Sequence, residues 1–97
     1  MSLTGKQRHF LRGLAHHRKP IVTVADAGLT ENVMHEIDLA LAHHELIKVK
    51  LRGGDREERQ NLLSVICEQA SCEAVQLIGH IAVIYRPAES PVISLPQ

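Results

Sequence analysis

The sequence contains few aromatic residues, few cysteines and no net charge. Tyrosine and phenylalanine occur once each and tryptophan is absent, so few planar rings are available for stacking on nucleic-acid bases. Cys67 and Cys72 are too few for a disulfide scaffold, and we expect both as reduced thiols of a cytoplasmic protein. Eleven basic residues balance eleven acidic ones, so net charge alone indicates no nucleic-acid or membrane partner.

Long apolar segments are also missing. No apolar run is long enough to cross a bilayer, and the first ten residues lack the apolar segment of a secretory signal. We therefore expect a cytoplasmic protein with no membrane partner. Its 97 residues suffice for one domain that buries a core without disulfides or metal.

The signatures of common catalytic sites are absent as well. No serine lies in Gly-x-Ser-x-Gly, and neither Gly-x-x-x-x-Gly-Lys nor Gly-x-Gly-x-x-Gly occurs. The seven histidines include the pairs His16-His17 and His43-His44, but neighbours on a helix point roughly 100° apart, so neither pair alone chelates an ion. We predict no enzyme, no cofactor, no metal site and no small-molecule substrate.

The stretch Ile21–Leu51 predicts a βαβ unit. It opens with the β-branched run IVTV, typical of a buried strand, and Thr30 then caps a helix that runs to His44. The following LIKVKL alternates, which predicts a second strand parallel to the first. Its apolar residues face a core, while the opposite face is at least partly exposed to water and positive, since it carries Lys48, Lys50 and Arg52.

Capping patterns and periodicity predict the remaining elements. Thr4 and Gln7 form a capping-box pattern before a first helix, and Asp55 with Glu58 marks the start of a third. Strands 74–78 and 81–85 form a hairpin around Gly79-His80. The apolar face of the first helix is expected to consist of Phe10, Leu11 and Leu14.

These elements predict an α/β fold in the order α-β-α-β-α-β-β. It is a two-layer α/β sandwich whose four-stranded mixed sheet has its last strand antiparallel to the rest. We expect one domain over residues 1–87. Residues 88–97 form a Pro-rich tail that either packs on the surface or stays mobile.

Charge is distributed in blocks along the chain. Residues 1–25 carry no acidic side chain, residues 26–47 carry no basic one, and residues 48–52 add three positives. These blocks are either ordinary solvated faces or a dipolar surface whose positive region meets phosphate. The basic residues of the first block are Lys6, Arg8, Arg12, Arg18 and Lys19.

A short turn joins the first strand to the second helix. Its residues are Ala25, Asp26, Ala27 and Gly28. Backbone N–H groups at such a helix start can hold a phosphate, although the Asp26 carboxylate would repel one. Taken alone, the turn is equally an ordinary connection between strand and helix.

Several motifs together resemble the CRM domain (chloroplast RNA splicing and ribosome maturation) in its stand-alone bacterial, YhbY-like form. They start with Leu3-Thr4-x-Lys6-Gln7, Leu11-x-Gly13-Leu14-Ala15-His16 and Lys19-Pro20-Ile21-Val22. Next come Gly28-Leu29-Thr30 and the specific His44-Glu45-Leu46-Ile47-Lys48-Val49-Lys50. Downstream follow Gln76-x-Ile78-Gly79, Tyr85-Arg86-Pro87 and Ile93-Ser94-Leu95-Pro96, so the resemblance spans nearly the whole chain.

The resemblance implies a fold similar to the C-terminal domain of translation initiation factor three. It further implies RNA binding without catalysis, through a basic surface and a Gly-x-x-Gly loop. That loop maps onto residues 25–28, where Ala25 replaces the usual first glycine and Asp26 replaces a polar or basic residue. The basic residues Lys6, Arg12, Lys19, Lys48 and Lys50 match the family more closely than the loop does.

Bacterial YhbY-like proteins are implicated in ribosome assembly, so the resemblance implies an RNA-binding factor for assembly of the large (50S) ribosomal subunit, which we expect to be monomeric. Its partner would be ribosomal RNA in precursor particles, contacted at phosphate and sugar. The alternative is a protein-interaction module that docks a ribosomal or assembly protein, with incidental RNA contact. The predicted RNA-binding residues are Lys6, Arg8, Arg12, Arg18, Lys19, Ala25, Asp26, Ala27, Gly28, Lys48, Lys50 and Arg52.

Overall fold

The computed structural model describes residues 2–97, and its elements follow the predicted order. The three helices are α1 (Gly5–Ala15), α2 (Glu31–His44) and α3 (Arg56–Ala70). The four strands are β1 (Pro20–Val24), β2 (Leu46–Leu51), β3 (Glu73–Ile78) and β4 (Ile81–Tyr85). The α/β class and the α-β-α-β-α-β-β order are therefore confirmed.

The strands form one mixed sheet in the order β1-β2-β4-β3. Strand β2 runs parallel to β1, and β4 runs antiparallel to both β2 and β3, as predicted. The tight turn between β3 and β4 uses Gly79 at a φ of 54°, in the left-handed region that glycine tolerates best. Its neighbour His80 hydrogen-bonds through Nδ1 to the Leu51 carbonyl oxygen at 2.7 Å, which joins the hairpin to the end of β2.

The helix starts are capped by the side chains that the sequence indicated. Thr4 and Gln7 form a reciprocal capping box at α1. Thr30 Oγ1 and Asp55 Oδ1 each accept the backbone N–H three residues ahead, at 3.2 Å and 2.8 Å. These bonds satisfy donors that have no partner within a helix, so each helix begins at a defined residue.

Helices α2 and α3 cover one face of the sheet. Strand β2 contributes Ile47, Val49 and Leu51 to this core, and none of the three is more than 2% exposed. The helices contribute Ile37, Leu41, Leu63 and Ile66, which recur at helical spacing and are equally buried.

The opposite face carries a second, smaller apolar cluster. Helix α1 lies over β2 and β3 and buries Leu11 and Ala15 there. The predicted two-layer arrangement therefore needs correction, because α1 adds a layer on the face opposite α2 and α3. Ile93 and Leu95 of the C-terminal tail pack against this cluster, so the tail is placed on the surface of the domain. This face is only partly covered, because Lys48 is half-buried and Lys50 is exposed.

Strand β1 is less buried than the sequence predicted. It forms an edge of the sheet, and only Val22 and Val24 point into the core. Ile21 is 53% exposed, because α1 packs over β2 and β3 and leaves the outer side of β1 open. The β-branched run therefore predicted a strand correctly but not its position in the sheet.

The apolar face of α1 is also narrower than predicted. Leu11 is fully buried, Phe10 is half-buried and Leu14 is 38% exposed. A single helix that packs on a partly covered sheet needs to bury only a narrow stripe of side chains.

Two further features concern the whole described chain. Within residues 2–97, no helix combines the length and apolar character needed to span a membrane. Cys67 and Cys72 are both free, the first half-buried and the second buried.

The two leucines of α1 provide a test of this packing. Leu11→Ala should lower the free energy of unfolding by about 2–5 kcal/mol, because it leaves a cavity between α1 and the sheet. Leu14→Ala, the matched control, should cost roughly 0.5 kcal/mol or less. Urea denaturation of both variants measures the difference, and equal losses would contradict the position of α1.

Candidate functional site

Four cations lie on β2 or beside its two ends, and we call this set the basic track: Lys19, Lys48, Lys50 and Arg52. Lys48 and Lys50 are two residues apart and therefore lie on the same face of the strand. Pairing of Pro20 with Lys48 brings Lys19 beside the start of β2. The Arg52 N–H donates to the Val24 carbonyl oxygen at 2.9 Å, so Arg52 continues the pairing with β1. At strand spacing, the track from Lys48 to Arg52 is about 13 Å long.

Two arginines lie beside the basic track. Arg12 of α1 and Lys48 line a cavity of about 200 Å³ between α1 and the sheet. Arg18 donates from its guanidinium to the Leu46 carbonyl oxygen and lines a second cavity, of about 470 Å³, with Lys19 and Lys48. Lys48 thus lies between two cavities and links the basic residues of α1 to those of the sheet.

Lys6 and Arg8 have different surroundings from the other predicted cations. Arg8 Nε donates to the Ala74 carbonyl oxygen at 3.1 Å, which ties α1 to β3. Lys6 Nζ donates to the Gln97 carbonyl oxygen at 3.1 Å, which ties α1 to the tail. The structure therefore places six of the predicted cations on or beside β2, where Arg18 is also bonded to the strand, whereas Lys6 and Arg8 contact the tail and β3.

The predicted Gly-x-x-Gly-like loop lies at the far end of β1. Residues Ala25, Asp26 and Gly28 line a third cavity, of about 320 Å³, together with Arg52. Gly28 has a φ of +78°, and its N–H donates to the Ala25 carbonyl oxygen at 2.9 Å. Because this N–H is already paired, a phosphate at the loop would have to open the turn or use other backbone N–H groups.

Charges at the loop cavity partly cancel. Arg52 and Arg59 line it, but so do Asp26 and Glu58. Asp26 Oδ1 lies 3.5 Å from where a Cβ on Gly53 would be, so its carboxylate is held against the neighbouring turn. A phosphate would meet acidic groups here, whereas beside Lys48 it would meet Arg18, Lys19 and a carboxylate, Glu45, that is already bonded to backbone N–H groups.

A buried carboxylate closes the other end of the site. Glu45 is 2% exposed and joins α2 to β2. Its Oε2 accepts the Ala88 N–H at 2.8 Å, and its Oε1 accepts those of Val92 at 3.0 Å and Ile93 at 2.8 Å. Burial raises the pKa of this carboxyl, but the three N–H donors outweigh burial and hold the pKa below its ordinary value.

The backbone of Glu45 is equally constrained. It is the C-cap of α2 with a φ of +62°, a region that residues other than glycine rarely occupy. Its N–H donates to Leu41 and its carbonyl oxygen accepts the Arg86 N–H, each at 2.9 Å. These bonds, together with those of the carboxylate, hold a strained conformation that reverses the chain into β2.

The structure adds residues to the site that sequence reasoning missed. Ile21, His43, His44, Val92 and Ile93 all line the 470 Å³ cavity beside the basic track. His43 and His44 lie at the end of α2, as predicted, but no local sequence pattern places them or the tail beside β1. The one available signal was the His44-Glu45-Leu46 motif of the resemblance, which places His44 directly before the buried carboxylate.

Glu45→Gln should loosen the tail. The amide offers one oxygen and an NH₂ group, so a backbone N–H of the tail loses its acceptor at a cost of about 1–3 kcal/mol. Because the folded pKa is lowered, wild type should gain stability from this carboxylate above its ordinary pKa of 4.5 and lose the gain as pH falls further.

Urea unfolding between neutral and acidic pH measures this contribution. Glu36→Gln, at an exposed position on the same helix, is the matched control and should follow wild type. If Glu45→Gln shows the same loss of stability on acidification as wild type, the carboxylate does not hold the tail in the way described.

Comparison with known families and proteins gives a consistent result. The model of the CRS1 / YhbY (CRM) domain matches residues 3–86. A Haemophilus influenzae protein named RNA-binding protein is 51% identical over 96 residues, covering 99% of this chain and 97% of the relative. A Bacillus subtilis protein, named as a candidate RNA-binding protein, is 37% identical over 95 residues, covering 97% of this chain and 99% of the relative.

A solved structure extends the likeness to the fold. The solution structure of a Staphylococcus aureus protein, described as a candidate RNA-binding protein, has a TM-score of 0.86 and 40% identity. The likeness covers 98% of this chain and all of that one. The family match itself reaches from the start of α1 to the end of β4, which confirms the resemblance seen in the motifs. The chain belongs to the CRS1 / YhbY (CRM) domain family.

Proposed function

We propose that this chain is a non-catalytic RNA-binding protein that holds folded RNA along the basic track. The observation that carries the proposal is the placement of Lys48 and Lys50 on the open face of a central strand, between Lys19 and Arg52. The names of the Haemophilus influenzae and Bacillus subtilis relatives support RNA as the ligand. No step of chemistry on the RNA is part of the proposal.

The position of the basic track suits a phosphate backbone. Lys48 and Lys50 are carried by a strand that is paired on both edges, so their spacing is rigid. Phosphates neutralised by such cations release counterions, and this release supplies much of the affinity for nucleic acid. Acidic side chains concentrate on α2 and α3, on the other face of the sheet, which would turn the basic face toward the RNA.

The two aromatic side chains are poorly placed for base stacking. Tyr85 is 1% exposed within the cluster beneath α1, and Phe10 is half-buried there. Recognition would therefore depend mainly on phosphate, sugar and RNA shape, as for duplex or folded RNA.

The other predicted residues have secondary roles in this proposal. The loop Ala25, Asp26, Ala27 and Gly28 would approach the RNA next to Arg52, with less affinity because of Asp26. Lys6 and Arg8 would add long-range attraction while serving the fold. We further propose that residues 1–87 form the RNA-binding domain and that residues 88–97 act as a strap across it.

The biological setting follows from family resemblance. We propose that the protein acts in the cytoplasm as a monomeric factor in assembly of the large (50S) ribosomal subunit, bound to precursor ribosomal RNA. YhbY-like bacterial proteins, which the motifs resemble, are implicated in that process. A rigid surface that reads shape and backbone suits a ligand that is folded but not yet covered by ribosomal proteins.

The variant Lys48→Glu/Lys50→Glu tests the basic track. It should weaken binding to a folded ribosomal RNA fragment by at least roughly tenfold, because two phosphate contacts become repulsions. Fluorescence anisotropy measures affinity, and thermal unfolding should change little since neither side chain is in the core. Lys50→Glu can be compared with Arg56→Glu, an equal charge change at an exposed site on α3. Unchanged affinity in the double variant would remove the basic track from the site.

Salt dependence separates RNA binding from the alternative, a module that docks an assembly protein. Exposed Ile21 and Val92 are the observation that favours the alternative. Four phosphate contacts predict a slope of about −3 for log affinity against log salt concentration. An apolar protein contact would give a slope near zero, so the same titration decides between the two.

The ribosomal setting makes a separate prediction in cells. The protein should sediment with precursors of the large subunit at low salt and move to the top of a sucrose gradient at high salt, as phosphate contacts are screened. The Lys48→Glu/Lys50→Glu variant should remain at the top under both conditions. Wild type at the top of the gradient at low salt would contradict stable binding to these particles.

A further inference from the structure

One cavity lies beside the basic track, and the proposed contacts with the RNA backbone do not fill it. Its volume is about 470 Å³, within the range of roughly 300–1,000 Å³ typical of small-ligand sites. It lies at the starts of β1 and β2, where α2 ends, and Val92 and Ile93 of the tail form one wall. The Gly-x-x-Gly-like loop lies at the opposite ends of the same two strands, so the cavity is separate from it.

The walls of the cavity are largely apolar. Ile21 is 53% exposed on the open side of β1 and contributes apolar surface to the cavity. Val92 is 86% exposed and stands across the cavity on the tail. The tail is held there by the Glu45 carboxylate, so this wall depends on the hydrogen bonds of a buried charge.

Two imidazole rings complete the lining. His43 and His44 are both exposed at the end of α2, with ring centroids 6.3 Å apart and ring planes inclined at 54°. Exposed imidazole rings at the edge of a cavity can stack on a flat base. Histidine and the guanidinium plane of arginine both stack on unpaired bases, so a lack of Tyr, Phe and Trp here does not exclude base contact.

The charges around the cavity favour an anion. Arg18, Lys19 and Lys48 all line it. Glu45 is the acidic residue in the lining, and its carboxylate is occupied by three backbone N–H donors. Apolar walls, stacking rings and surrounding cations match a group that joins a flat ring to a phosphate, which is the chemistry of a nucleotide.

We infer that this cavity receives a single unpaired nucleotide of the bound RNA. Its base would lie between Ile21 and the two imidazoles, and its phosphate would face Lys19 and Lys48. The inference rests on the proposed function and deepens it, since the preferred RNA would be a folded element with a bulged or looped-out nucleotide. The basic track then holds the flanking backbone.

Two RNA hairpins test this site: one fully paired, and the same hairpin with one bulged adenosine. Wild type should bind the bulged hairpin roughly tenfold more tightly, the scale of one stacked base. His43→Ala/His44→Ala should lose this preference and keep wild-type affinity for the paired hairpin. His35→Ala, an exposed histidine on the same helix outside the cavity, is the matched control and should keep the preference.

A second variant changes the side of the cavity that β1 forms. Ile21→Ala should also reduce the preference for the bulged hairpin. Because this side chain is largely exposed, thermal unfolding of the variant should stay close to that of wild type, which checks that it is folded. Because the affinity for the paired hairpin is measured for every variant, loss of track contacts and loss of the cavity contact are read separately.

The possible results separate the nucleotide site from RNA binding by the basic track. Equal wild-type affinity for both hairpins would overturn the nucleotide site and leave RNA binding through the basic track standing. A preference that persists in His43→Ala/His44→Ala and in Ile21→Ala would also overturn it, since the base would then be read elsewhere. If wild type bound neither hairpin, the proposed function would fail and the inference would fail with it.

Discussion

The alternation of side chains along β2 is the constraint on which the rest of the structure depends. The strand is paired with β1 on one edge and β4 on the other, so its register is set from both sides. Ile47, Val49 and Leu51 then face the core beneath α2 and α3. A slip of one residue would bring Lys48 and Lys50 into that core, at a cost no small domain tolerates. The packing that stabilises the fold therefore also fixes the spacing of the basic track.

Glu45 links this strand to the remainder of the site. It combines a left-handed φ with a buried carboxylate, two features that are unfavourable in isolation. Both are maintained because its backbone and side chain together form five hydrogen bonds, three of them to the tail. The end of α2, the start of β2 and the wall formed by Val92 are thus connected through one residue.

The two ends of the β1–β2 pair differ in their electrostatics. At one end, Asp26 and Glu58 offset Arg52 and Arg59 around a loop whose glycine N–H is already bonded. At the other end, cations surround an apolar cavity whose carboxylate is satisfied by backbone donors. An RNA strand lying along β2 would therefore meet its strongest attraction in the middle and at the cavity end. This asymmetry supports the proposal that the sheet surface attracts RNA more strongly than the loop, which family resemblance emphasises.

The sequence by itself determined the elements, their order and the polarity of β2. Helix caps and period-two alternation are local properties, because they depend on residues within a few positions of one another. Thr30, Asp55 and the LIKVKL run could therefore be interpreted directly. Likewise, the motifs identified the family. The edge position of β1 and the exposure of Leu14 were decided only by tertiary structure. So was the cavity, because Ile21, His43 and Val92 are far apart in the chain and meet only where helix, strand and tail converge. Such contacts depend on long-range packing, which no local pattern encodes.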